Sequence, residues 1–295
     1  MITHPPFQSQ AGRKPPWLKV KLPTDKNFFL VSSLLQEHGL NTICRSAKCP
    51  NIGACWAEKT ATFLILGDTC SRSCSFCAVN KGFPAPPIPG EPEAVAEAAA
   101  AMGLTYIVIT SVTRDDLVDG GASEFTRTIE AIRKKIPGAK VEALVPDFAG
   151  NEEALRGVVR AAPEILNHNL ETVEALYPRI NRPEANYRRS LEILKKAKSW
   201  GASTKSGLMV GLGETEEDLI KTFRELSSVS CDLLTLGQYL QPTQAHAPVA
   251  RFYAPEEFDR FKDVALSLGF SAVAAGPLVR SSFHARALYD SLGKI

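Results

Sequence analysis

Residues 61–79 read ATFLILGDTCSRSCSFCAV. The run TFLILG (62–67) is apolar throughout and stops at a glycine, the pattern of a strand buried on both faces. It passes directly into Cys70, Cys74 and Cys77, three of the chain's seven cysteines. Five more runs of this kind follow: TYIVIT (105–110), KVEALV (140–145), EILNHN (164–169), STKSGLMVGL (203–212) and LLTLGQYL (233–240). Helical segments alternate with them, such as SEFTRTIEAIRKKIPG and TEEDLIKTFRELSSV. Several open with Asp, Glu or Ser and several close on glycine, as helix ends prefer. Buried strands alternating with helices predict a parallel sheet covered by helices. Six units are too many for a small open sheet and too few for an eightfold barrel. The α/β fold expected is a partial (β/α)6 TIM-like barrel, with a doubly wound open sheet as the alternative.

Three regions are expected. Residues 1–60 form an N-terminal extension, 61–268 the barrel, and 269–295 a C-terminal extension whose run FSAVAAGPLV (270–279) adds a strand. KPPWLKVKLP reads as an extended strap, since each proline fixes φ and disfavours helix before it. KNFFLVSSLLQEHGL reads as an amphipathic helix stopped by Gly39. The proline-rich NKGFPAPPIPGEPE is a loop.

The chain has 295 residues, 44% hydrophobic and 22% charged, an ordinary globular composition. No apolar run reaches membrane-span length, and the first twenty residues, with no apolar h-region, read as an extended arm. A net charge of +2 points to neither nucleic acid nor a membrane surface as partner. The expected location is cytoplasmic, where clustered cysteines serve metal or redox chemistry more often than disulfides.

Six of the seven cysteines fall in two triplets: Cys44, Cys49 and Cys55, then Cys70, Cys74 and Cys77. In a parallel barrel, chemistry sits at the C-terminal ends of the strands, which puts the second triplet in the first βα loop, at the mouth. Polar residues stand at other strand ends: Thr110, Ser111, Arg114, Asp115, Asp147, His168, Asn169, Glu171, Glu214, Gln238 and Gln241. Three thiolates on one loop can hold three irons of a cubane and leave the fourth open, and an open position marks chemistry rather than structure. The bland alternative is a zinc site completed by one further residue.

The motif CSRSCSFC, with Phe76 before its last cysteine, resembles the radical S-adenosylmethionine (AdoMet) signature. The upstream C-x4-C-x5-C narrows the likeness to the lipoyl synthase family. KPPWLKV, CPNIGACW, TSVTRDDLVDGGA, VPDFAG, NHNLET, KSGLMVGLGET and GQYLQPT are similar as well, along nearly the whole chain. The ending GPLVRSSFHA departs from that family's RSSYHA only by Phe283 in place of tyrosine.

The resemblance implies two [4Fe–4S] clusters and AdoMet. Cys70, Cys74 and Cys77 would hold the cluster that cleaves AdoMet. Cys44, Cys49 and Cys55 would hold an auxiliary cluster, completed by Ser281 or by Ser282 and consumed as sulfur donor. Serine oxygen is a harder and weaker iron ligand than thiolate, which suits a cluster meant to come apart. The implied reaction inserts sulfur at C6 and C8 of an octanoyl chain on a lysine of a lipoyl carrier domain or the glycine-cleavage H protein. An electron donor such as flavodoxin or ferredoxin, an iron–sulfur carrier for cluster repair and a monomeric state are implied too.

For AdoMet, Phe76, Thr110, Ser111, Asn169, Glu171 and Arg182 are the candidate contacts, the arginine because a guanidinium matches a carboxylate. Asp115, Asp116 and the Gly120–Gly121 turn are read as shaping their loop. His168, His246 and Cys231 are read as structural. The rival readings are another sulfur-inserting radical AdoMet enzyme, such as a biotin synthase or a methylthiotransferase, and a non-catalytic iron–sulfur or zinc protein.

Overall fold

The computed structural model describes residues 12–20, 22–182 and 187–294. The extended-arm reading of residues 1–11 lies outside the described residues. The strands are β1 (Asn41–Thr42), β2 (Thr62–Ile65), β3 (Thr69–Cys70), β4 (Asn80–Lys81), β5 (Tyr106–Ser111), β6 (Lys140–Leu144), β7 (Ile165–Asn167), β8 (Thr204–Val210), β9 (Leu233–Gln238) and β10 (Ala272–Gly276). Eight of them form one sheet in the order β1-β2-β5-β6-β7-β8-β9-β10. Every neighbouring pair is parallel except β1 with β2. Sequential order with a helix on each connection is the barrel topology, and it lacks the strand-order reversal of a doubly wound sheet.

The six expected strands all form, and the C-terminal run supplies a seventh parallel strand paired to β9 from Ala272↔Leu233 to Gly276↔Gly237. The two extensions therefore lie at the two edges of the sheet: β1 beside β2, and β10 beyond β9. The helices form where periodicity and caps agree. Thr215 and Asp218 make a reciprocal capping box on Glu216–Ser228, and Gly103, at φ 71°, ends Glu91–Met102. The strap is less extended than expected. Pro16–Leu18 make one 3-10 turn, since proline suits a first helical position, and Trp17 Nε1 donates to the carbonyl of Tyr253 at 3.2 Å.

On β8, Leu208 and Val210 pack outward with Leu219 and Phe223 of the covering helix. Lys205, Gly207 and Met209 therefore face the barrel interior, because side chains alternate along a strand. Lys205 Nζ reaches Glu142 Oε1 on β6 at 2.9 Å, with both side chains fully buried. Tyr106 and Asn167 also donate to Glu142, so the charge pair is held by a hydrogen-bonded network. Below it, Leu288 packs with Ile165 and Leu233. The hydroxyl of Tyr289 lies 3.0 Å from Lys140 Nζ. The C-terminal helix Ala285–Asp290 thus closes the floor of the barrel.

Candidate metal and cofactor site

Cys70 ends β3, and its sulfur accepts from the backbone N–H of Thr113 at 3.4 Å, so the triplet loop leans on the end of β5. Three sets of bonds fix this loop. On one side Arg72, between the first two cysteines, donates to both carboxylate oxygens of Asp115 at 2.7 and 2.8 Å and to Asp147 at 2.7 Å. On a second, Ser75 N–H donates to Ile180 and Asn181 Nδ2 donates to the carbonyl of Ser73. On the third, Ala247 N–H donates to Ser75 and His246 Nε2 lies 3.1 Å from the carbonyl of Cys77. Phe76 packs into the half of the core built by β8 and β9.

Burial pushes the Cys77 thiol up to about 12, and Cys74 is raised by burial as well, with the neighbouring thiols and Glu171 adding to both shifts. Arg182 and Arg72 pull Cys74 the other way. In the upstream triplet burial again dominates. Cys55 rises to about 12, with Cys44 and Cys49 contributing, and Cys44 is raised by burial and by Cys49. Thiols this close and this buried ionise together only around a cationic guest, which is the demand an iron–sulfur cluster meets. Among the described residues no three His, Cys, Asp or Glu side chains gather around one point as a single ion demands. A four-iron cubane is a wider body, with its thiolates at separate corners.

Around the mouth triplet several buried polar atoms have no partner among the described residues: Ser75 Oγ, Ser111 Oγ and Arg182 Nε. Such orphans are uncommon, and a polar ligand bound at the mouth would give these three partners. Arg182 stands over the Tyr177 ring at 5.1 Å. Glu171 has a left-handed backbone at φ 70°, held by bonds to Gly207 and Met209 of β8. Burial raises its carboxyl, with Arg182 and Asn169 opposing. The donor set and these unfilled polar atoms fit a polar, charged cofactor such as AdoMet.

Of the remaining candidates, the Thr110 hydroxyl is spent on the carbonyl of Leu144 at 2.9 Å. Asn169 accepts from Ser281 Oγ at 2.8 Å, so a residue of the mouth and a residue of the C-terminal motif touch. The upstream cysteines follow β1, at the sheet edge. Asn51 Nδ2, within that triplet, donates to the carbonyl of Leu278 at 2.6 Å, across 227 residues of sequence. Arg280 is the tail residue whose charge reaches Cys49.

Glu214 and Gln238 are structural. The first accepts from Gly211, Leu212 and Tyr253, and the second bonds Val210, Tyr239, Arg251 and Tyr253. His168 has both ring nitrogens bonded and Cys231 is buried, away from both triplets, its sulfur on the carbonyl of Leu233. Asp115 shapes its loop through Arg72 and Ser71. Sequence reasoning missed Arg72, Asn51 and the bond from His246 to the cysteine loop. A lone cation between two cysteines was a visible signal for the first, and local sequence held none for the others.

The chain matches the family model described as "Radical SAM superfamily" over residues 64–226. It is 54% identical over 275 residues to a lipoyl synthase of Caldanaerobacter subterraneus subsp. tengcongensis, covering 92% of this chain and 96% of that one. It is 52% identical over 291 residues to a lipoyl synthase of Chlorobaculum tepidum, covering 98% and 100%. Among solved structures, Streptococcus suis SuiB bound to precursor peptide SuiA aligns with a TM-score of 0.57 at 12% identity, over 90% of this chain and 55% of that one. HydG, a maturase of the [FeFe]-hydrogenase, aligns with a TM-score of 0.54 at 12% identity, over 79% and 62%. These likenesses extend to the fold alone.

Proposed function

Because this chain belongs to the lipoyl synthase family, we infer that its two thiol triplets divide one reaction, sulfur insertion at C6 and C8 of a protein-bound octanoyl-lysine. The enzyme is a sulfurtransferase that uses [4Fe–4S] clusters and AdoMet and acts on an octanoylated protein. When bound, these groups supply the hydrogen-abstracting radical and the sulfur.

The observation that carries the division is the arrangement of the triplets. One lies at the barrel mouth among unfilled polar atoms, and the other at the sheet edge, bonded to the C-terminal tail. Cys70, Cys74 and Cys77 hold the AdoMet-cleaving cluster. Arg182 and Asn169 take polar groups of AdoMet, with Glu171, Ser111, Thr110 and Phe76 shaping its berth. Cys44, Cys49 and Cys55 hold the auxiliary cluster, with Ser281 as its fourth ligand. Arg72, Asp115 and Asp147 keep the mouth loop rigid, and a closed mouth shields a reactive radical from water. The carrier is a lipoyl domain or the glycine-cleavage H protein, the electron donor a flavodoxin or ferredoxin, and an iron–sulfur carrier restores the auxiliary cluster. The protein works as a cytoplasmic monomer, with region boundaries at residues 60 and 268. Among the described residues no helix is long and apolar enough to cross a membrane.

The test is anaerobic reconstitution with iron, sulfide, reductant, AdoMet and an octanoyl-lysine peptide, followed by mass spectrometry. Cys49→Ala keeps 5′-deoxyadenosine formation and loses sulfur insertion, whereas Cys74→Ala loses both. Dithiolated product from Cys49→Ala would sink the division.

A further inference from the structure

After β10 the chain does not leave the barrel. Leu278 is tied to Asn51 at the open edge, and Ser281 then reaches Asn169 past the inner faces of β9 and β8. The helix Ala285–Asp290 follows at the floor. Residues 279–281 thus run down the lumen, and two glycines make the room for them. A methyl group on Gly237 would overlap the carbonyl oxygen of Val279 and stand 3.2 Å from Arg280 Nη1. A methyl group on Gly207 would stand 2.6 Å from both Ser281 Oγ and Asn169 Oδ1, and 2.9 Å from Thr235 Oγ1. Neither glycine has a left-handed backbone, so conformation does not demand glycine at either position. Glycine inside a strand weakens it and marks close approach by another backbone. At Gly237 the approaching group is itself main chain, which cannot rotate away.

We propose that Gly237 and Gly207 are positioning residues that cradle the C-terminal tail in the lumen and thereby set Ser281 for the auxiliary cluster. This rests on the reading of Ser281 as a ligand. The small side chains carry no chemistry, and their role is the space they leave. Gly276 provides a control on the same wall, since a methyl group there would meet only the Val279 Cγ2 side-chain carbon at 3.3 Å.

Two readouts test the cradle without sulfur insertion. The first is tryptic cleavage at the Arg280–Ser281 bond in the metal-free full-length chain, followed by intact mass. Gly237→Ala is expected to be cut at least about tenfold faster than wild type, because protection of a segment follows its local opening. Gly276→Ala is expected to stay within about twofold. The second is iron content after reconstitution, expected to fall in Gly237→Ala from about eight toward about four irons per chain, with reductive AdoMet cleavage retained.

Wild-type cleavage rate together with full iron overturns the proposal. Faster cleavage with full iron overturns the positioning step. Ser281→Ala separates the two readings: full auxiliary iron in that variant sinks the ligand assignment and leaves the cradle to be decided by proteolysis. Should Gly237→Ala not fold, Gly207→Ala carries the same proteolysis and iron measurements, its neighbours being side-chain ends.

Discussion

Arg72 sits between two cysteines that a cluster must grip; its backbone N–H donates to Cys70 Sγ at 3.5 Å, while its guanidinium bonds go to Asp115 and Asp147. The Asp147 side chain has 0% exposure, and although burial raises its pKa, the Arg72 hydrogen bond and charge prevail and hold it below the usual carboxylate range. Arg72→Ala strips the shorter of two ion pairs from that buried carboxylate and leaves it Arg189 at 3.2 Å, with an expected loss of about 1–3 kcal/mol of stability by urea unfolding. Arg72→Lys keeps the charge but not the fork. Its AdoMet cleavage is expected to fall on the order of 100-fold, the scale of a small misplacement of reacting groups, while the fold persists by circular dichroism. His168 gives a pH prediction. Burial pushes its ring from 6.5 down to about 4, against the Val145 bond that raises it. Between these values the unfolded chain binds a proton that the folded chain refuses, so stability rises with pH there and is lost on acidification. The slope is up to about 1.4 kcal/mol per pH unit. His168→Gln is expected to lose this component in urea midpoints measured at pH 7, 5.5 and 4.5.

At the scale of elements, the strand–loop joint at residues 61–79 was legible because burial on both faces and cysteine spacing are local patterns. The helices were legible for the same reason, down to the stop at Gly39, which has φ 64°. The two-residue β1 was not, since a pair of residues has no period and forms only because β2 offers an unpaired edge. The bond from Asn51 to Leu278 belongs to this scale, as it clips the auxiliary loop to the tail. Asn51→Ala leaves a part-buried carbonyl without its donor, costing about 1 kcal/mol. Loss of auxiliary iron at a lower denaturant concentration than the mouth cluster, followed by absorbance, is the expected outcome. Simultaneous loss of both clusters in the variant would show that the clip is not local.

For the whole molecule, the extensions complete the barrel rather than decorate it. β10 joins the sheet, the tail fills the lumen, and Tyr289 packs against Tyr106 at 5.6 Å on the floor. A fragment of residues 61–268 loses all of these and exposes the inner wall. It is expected to unfold without a cooperative transition, where the full chain shows one by near-ultraviolet circular dichroism. A sharp transition in the fragment would make 61–268 a domain in its own right.

The alternation of strand and helix, the barrel class, the two thiol triplets and the family can all be read along the chain, because each is written in residue type and short spacing. What closes the barrel and what meets the triplets emerges only on folding. Arg72 finds Asp147, Asn51 finds Leu278, Ser281 finds Asn169, and Gly237 yields to Val279. These contacts join residues from 42 to 227 positions apart. They exist because a barrel brings the ends of distant strands to one mouth and one lumen, a convergence no local pattern encodes.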